Sequence, residues 1–97
     1  MKTLADIQQI LSARKTWLCE AYHITELGIF GSYARGEQTP DSDVDILINY
    51  EQAPTLFELV NLRDYLRELT GLKVDVVTKN GLKSKIRDRT LSEVIYL

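Results

Sequence analysis

A single cysteine, Cys19, stands among 97 residues, which excludes an internal disulfide framework and any zinc site built from several cysteines. No apolar run approaches the ~20 residues of a membrane span. The opening stretch, residues 1–10, places acidic and polar side chains where a signal peptide needs an apolar core, so a cytoplasmic protein with no membrane contact is expected. Internal repeats and low-complexity tracts are absent. Net charge is only −2, which argues against broad nucleic-acid binding. With 44% hydrophobic and 27% charged residues the chain is neither disordered nor fibrous, and its length suits one domain, residues 1–97, around one core.

Charge is distributed less evenly than its sum suggests. Residues 37–51 carry five acids and no base, while residues 79–89 carry five bases and one acid, Asp88. An acidic knot and a basic segment on one small domain point to a site that handles cations and anions. The basic segment alone also fits a solvated helix face.

Hydrophobic periodicity gives the elements. Leu4, Ile7, Leu11, Trp17 and Leu18 recur at helical spacing, predicting a helix from Thr3 to about Cys19 with Thr3 and Asp6 as a capping box. Ile24–Phe30 alternates as a strand, with Leu27 and Ile29 opposite Gly28 and Phe30. Residues 32–36 allow one helical turn, and 37–42 a loop. Asp43–Tyr50 reads as a second strand, with Val44, Ile46 and Ile48 on one face and Asp43, Asp45, Leu47 and Asn49 on the other. Thr55 and Glu58 form a second capping box, opening a helix that Gly71 ends, with Leu56, Leu59, Val60, Leu66 and Leu69 as its expected buried face. Leu72–Thr78 is a third strand, and a helix near Lys85–Glu93 leads to Ile95-Tyr96-Leu97, a possible short strand. This order predicts an α/β (α+β) sandwich: a short mixed sheet with helices on one face and the acids on the other.

The strongest chemical signal is Asp43-Val44-Asp45. Alternation puts both carboxylates on one sheet face, about 6–7 Å apart along the strand. Asp75, out of phase with Val74 and Val76, can join them if its strand is a neighbour. Converging carboxylates repel unless protonated or neutralised by a cation, and oxygen-only ligands suit Mg²⁺ or Mn²⁺. A calcium loop starting at Asp41 fails, because its sixth and twelfth positions hold Ile46 and Gln52. A P-loop between Gly31 and Gly36 fails too, because Glu37-Gln38 replace the required lysine and hydroxyl residue. Gly31-Ser32 remains: glycine allows close approach of a phosphate, and the amides of Ser32 and Tyr33 at a helix start can donate to its oxygens.

Joined at a spacing of ten residues, Gly31-Ser32 and Asp43-x-Asp45 form a more specific pattern, completed by Asp75 in Lys73-Val74-Asp75-Val76-Val77. The pattern resembles the nucleotidyltransferase domain of the DNA polymerase beta superfamily in its minimal form, the MntA-like antitoxins of HEPN/MNT toxin–antitoxin pairs. The resemblance covers nearly the whole chain. It implies that Gly31 and Ser32 hold the triphosphate of ATP, that Asp43, Asp45 and Asp75 hold two Mg²⁺ ions (or Mn²⁺), and that Asp75 helps activate the acceptor hydroxyl. It further implies AMP transfer to a tyrosine of a cognate HEPN ribonuclease toxin. Neutralisation by binding alone and transfer to a small-molecule acceptor are the rival readings. Arg35 either pairs with the triphosphate or makes an ion pair with Glu37 or Asp41. Tyr33 reads as packing or partner contact, Trp17 as core or interface, His23 as a helix-terminal residue and Cys19 as a small buried apolar residue. Candidate partner contacts are the basic segment and the apolar C-terminus, which could instead fill the protein's own core.

Overall fold

The computed structural model describes residues 2–97. In chain order they form α1 (Leu4–Ser12), α2 (Lys15–Tyr22), β1 (Ile24–Phe30), α3 (Ser32–Arg35), β2 (Val44–Tyr50), α4 (Leu56–Thr70), β3 (Val74–Thr78), a 3-10 turn (Lys79–Gly81), α5 (Ser84–Glu93) and β4 (Ile95–Tyr96). The four strands make one sheet in the order β3-β2-β1-β4. β1 runs antiparallel to β2 and β4, and β2 runs parallel to β3, with α4 as the crossover. The mixed sheet expected from the sequence is present, but the helices are not confined to one face: α5 lines cavities with Asp43, Asp45 and Asp75 on the acid side.

One face of the sheet is the core. Leu27 and Ile29 of β1, Val44, Ile46 and Ile48 of β2, and Val74 of β3 pack with Ile7 and Leu11 of α1, Leu18 of α2, and Leu62 and Leu66 of α4. Both capping boxes form: Asp6 N–H donates to Thr3 Oγ1, and Glu58 N–H donates to Thr55 Oγ1. Each cap satisfies helix amides that would otherwise lack partners. The C-terminus fills the protein's own fold, as one of its two readings held. Leu97 N–H donates to Leu27 O, and the Leu97 side chain packs on the core.

Three expectations need correction. The first helix is broken, with Arg14 standing between α1 and α2 at φ −115° and ψ 2°. Any residue can take that bridge conformation, so no glycine or proline marks the break. On α4 the buried stripe runs through Leu62 and Leu66, with Leu59 and Leu69 packed beside it. Leu56 and Val60 lie about 120–160° round the helix from Leu62. They are exposed, as is Phe57. Trp17 does not enter the core; it is half-exposed and stacks at 5.0 Å on Tyr65.

Candidate active site

Strand register assembles the acids. Asp45 lies opposite Phe30 on β1 and beside Asp75 on β3, so one row across the sheet reads Phe30, Asp45, Asp75. Neighbouring strands sit about 4.8 Å apart, which brings the two carboxylates onto adjacent positions of one face. Asp43, two residues before Asp45, points the same way just ahead of β2. The intervening Val44 and the following Ile46 are buried in the core on the opposite side. The hydrophobic face therefore fixes the direction of the acids, because a one-residue slip would bury them.

β1 delivers the second component. At its end Gly31 adopts φ 74° and ψ −152°, a conformation essentially restricted to glycine. A Cβ on Gly31 would collide with Asp45 Oδ2. The backbone thus lies directly against the Asp45 carboxyl. α3 starts at the next residue, and its first-turn amides, those of Ser32 and Tyr33 among them, have no intrahelical acceptors. The fully buried Tyr33 ring anchors this turn to the core, matching the packing reading.

One cavity is lined by Gly31, Ser32, Arg35, Asp43 and Asp45 together with Phe30 and four residues of α5: Ile86, Arg89, Thr90 and Glu93. Asp75 lines an adjoining cavity that shares Phe30, Asp45 and Ile86 with the first. Arg35 makes ion pairs, 2.8 Å to Glu37 and 2.9 Å to Glu93; among the described residues none forms with Asp41. Of the α5 residues, only Arg89 stands out in the sequence, as part of the basic segment 79–89. Their signal was a helical face, with Ile86, Arg89, Thr90 and Glu93 at i, i+3, i+4 and i+7.

Electrostatics marks Asp45 as the centre. Burial, then the charge of Asp75, then that of Asp43 push its carboxyl from 3.8 up to about 6. Between those values the folded chain holds a proton that the unfolded chain releases. This group's contribution to stability is therefore full below about pH 4 and is lost as the pH rises through about 6. In a chelator, Asp45→Asn should stabilise the chain at pH 7 by about 1–2 kcal/mol, discounted for partial exposure. The gain should vanish near pH 4. Thermal unfolding of both chains across that range checks this, and a pH-independent difference would exclude the assigned cause.

Among the described residues, no group of three His, Cys, Asp or Glu side chains is drawn close enough to hold an ion in this arrangement. The donor chemistry nevertheless fits a hard divalent cation: carboxylate oxygens alone, on one sheet face, with a central carboxyl whose charge Arg35 offsets only in part. No described helix is long and apolar enough to cross a membrane.

A glycine turn opening a short helix beside a row of carboxylates on a small mixed sheet matches a nucleotidyltransferase fold. The sequence profile of the nucleotidyltransferase domain family matches residues 11–97, and the chain belongs to that family. The protein adenylyltransferase MntA of Thermococcus cleftensis is 48% identical over 97 residues, spanning all of this chain and 98% of that protein. A solved structure described as a minimal nucleotidyltransferase superposes with a TM-score of 0.84 at 34% identity, covering 99% of this chain and 97% of that one. The fold recurs, with a TM-score of 0.71 at 15% identity, in a structure of a tri-AMPylated Shewanella oneidensis HEPN toxin in complex with MNT antitoxin, covering 93% of this chain and 70% of that one. The resemblance read from Gly31-Ser32 and the three aspartates is therefore one of family.

Proposed function

We propose that this chain is an antitoxin that transfers AMP from ATP to a tyrosine hydroxyl of a cognate HEPN toxin. The carrying observation is the Phe30–Asp45–Asp75 row beside the Gly31-Ser32 turn, in a chain that matches an MntA adenylyltransferase end to end. In the reaction the tyrosine oxygen forms a bond to the α-phosphorus. The bond from that phosphorus to the bridging oxygen breaks, and pyrophosphate leaves. Asp75, the neighbour of Asp45 across the sheet, would orient the hydroxyl and accept its proton. The amides of Ser32 and Tyr33 and the Ser32 hydroxyl hold the leaving phosphates, while Arg35 at the cavity wall is already paired with Glu37 and Glu93, the ion-pair alternative of its two readings.

Asp43, Asp45 and Asp75 would hold two Mg²⁺ ions, with Mn²⁺ as a substitute. Bound there, such ions neutralise phosphate charge and activate an oxygen nucleophile. Incubation with labelled ATP, Mg²⁺ and a HEPN toxin, followed by intact-mass analysis, tests the proposal. Label on toxin tyrosine is expected. Neutralisation without label supports binding alone, and label only on small hydroxylated compounds supports the other rival.

Ser32→Ala should weaken ATP use moderately, because backbone amides share the phosphate load. Loss of one hydrogen bond to a charged group costs about 1.5–3 kcal/mol. That corresponds to a loss in kcat/KM of roughly ten- to a hundredfold. An unchanged kcat/KM for ATP would remove Ser32 from the cradle.

A further inference from the structure

The cradle and Asp75 lie in different cavities. On one side of the ridge formed by Phe30, Asp45 and Ile86 are Gly31, Ser32, Asp43 and Arg89. On the other are Asp75, Val77, Leu82 and Lys83, around a space of about 440 Å³. Displacement at phosphorus places the attacking and leaving oxygens roughly in line. Asp75 also borders a cavity with Leu56, Leu59, Val60 and Arg63, but only the one with Val77 and Lys83 shares Asp45 with the Ser32 cavity. With the leaving pyrophosphate in the Ser32 cavity and the α-phosphorus near Asp45, the nucleophile arrives from that adjoining cavity. The nucleoside, attached through a third oxygen, lies off that line.

The chemistry of the second cavity suits one kind of nucleophile. Val77, Leu82 and Ile86 give apolar walls, Asp75 gives a carboxylate beside that of the shared Asp45, and Lys83 is an exposed lining residue. A phenol has an apolar ring and a single polar tip. Lys83 can sit over the ring face or near a developing phenolate. A serine or threonine side chain would reach Asp75 but leave the apolar walls uncovered. Resting on the proposed function, we infer that the cavity of Val77, Leu82, Lys83 and Ile86 seats the ring of the acceptor tyrosine and makes the enzyme selective for phenolic hydroxyls.

Two measurements on the full chain test this. In methyl NMR with AMP-PNP and Mg²⁺ present, N-acetyltyrosinamide should shift the Val77 and Leu82 methyl signals and leave those of Leu69, on the core face, in place. In steady-state transfer, Val77→Phe, which fills the cavity, should raise KM for a tyrosine acceptor peptide at least tenfold. It should also lower the preference for that peptide over its serine counterpart, with AMP-PNP affinity unchanged within twofold. Lys83→Glu, at an exposed position, should raise the same KM several-fold without touching the fold. If AMP-PNP alone moves the Val77 and Leu82 methyls, or Val77→Phe abolishes its binding, the cavity holds the nucleoside and the inference falls. If wild type labels tyrosine while both variants keep its KM, the inference falls and the proposed function stands. If wild type transfers AMP to no tyrosine, in peptide or toxin, both fall.

Discussion

Asp43→Asn and Asp45→Asn chains should each lose at least about three orders of magnitude in AMP transfer, equivalent to roughly 4 kcal/mol of transition-state stabilisation. Asp75→Asn should lose activity comparably, because in the proposed reaction the same carboxylate would serve both the ions and the acceptor. None of these changes removes a core contact: Asp43 and Asp45 are only partly buried and Asp75 is exposed. Circular dichroism should therefore show an intact fold, and the metal-free Asp45→Asn chain should melt higher than wild type. ATP-dependent labelling of toxin by the double Asp43/Asp45 variant at the wild-type rate would refute the site. The same variants separate catalysis from occlusion. An antitoxin acting by transfer fails to neutralise its toxin when the acids are lost, whereas one acting by coverage still succeeds.

Gly31→Val should be the most damaging single substitution in the turn. Its φ of 74° and ψ of −152° impose about 1–3 kcal/mol of backbone strain on any other residue. The added side chain also meets Asp45 Oδ2, the atom that Gly31 packs against. Relieving that clash moves the turn away from the central carboxylate, so both stability and transfer should drop, transfer by more than a hundredfold. Gly36→Ala is the control. It has a similar positive φ of 71°, but a Cβ there meets nothing within 4 Å. It should cost only the left-handed backbone penalty, about 1–2 kcal/mol, and keep most of its activity. Equal loss of transfer in both variants would show that backbone strain, not the Gly31–Asp45 contact, governs the site.

How far the sequence could be read depended on which features have local causes. Strand alternation placed Asp43 and Asp45 on one face because the opposite face carries Val44, Ile46 and Ile48, and burial enforces that choice. Capping boxes at Thr3 and Thr55 were legible because the bonding partners lie three residues apart. The break at Arg14 was not, since its conformation needs no special residue. The exposure of Leu56 and Val60 was hidden for a different reason. Apolar residues nearly encircle the start of α4, and only the sheet decides which of them it meets. Within the site, the local pair Gly31-Ser32 and the acids stood out, whereas Thr90 and Glu93 did not, and Arg89 did so only as one base of the segment 79–89. Those three reach the cavity by tertiary placement of α5, and nothing near them in the chain foretells the Arg35–Glu93 pair, 58 positions apart. Tyr33, read as packing or partner contact, takes the first role: its buried ring anchors α3.

Trp17, the sole tryptophan, lies half-exposed on α2 against Tyr65 and Tyr22, on the side of the sheet away from the carboxylate row. Its emission is a built-in optical gauge of how α2 and α4 sit on each other. Nucleotide added to the opposite face should leave that signal nearly still, while unfolding, or a protein settling over the α2–α4 side, should move it. A fluorescence titration can thus distinguish occupancy at the catalytic face from contact at the back of the molecule, with no label attached.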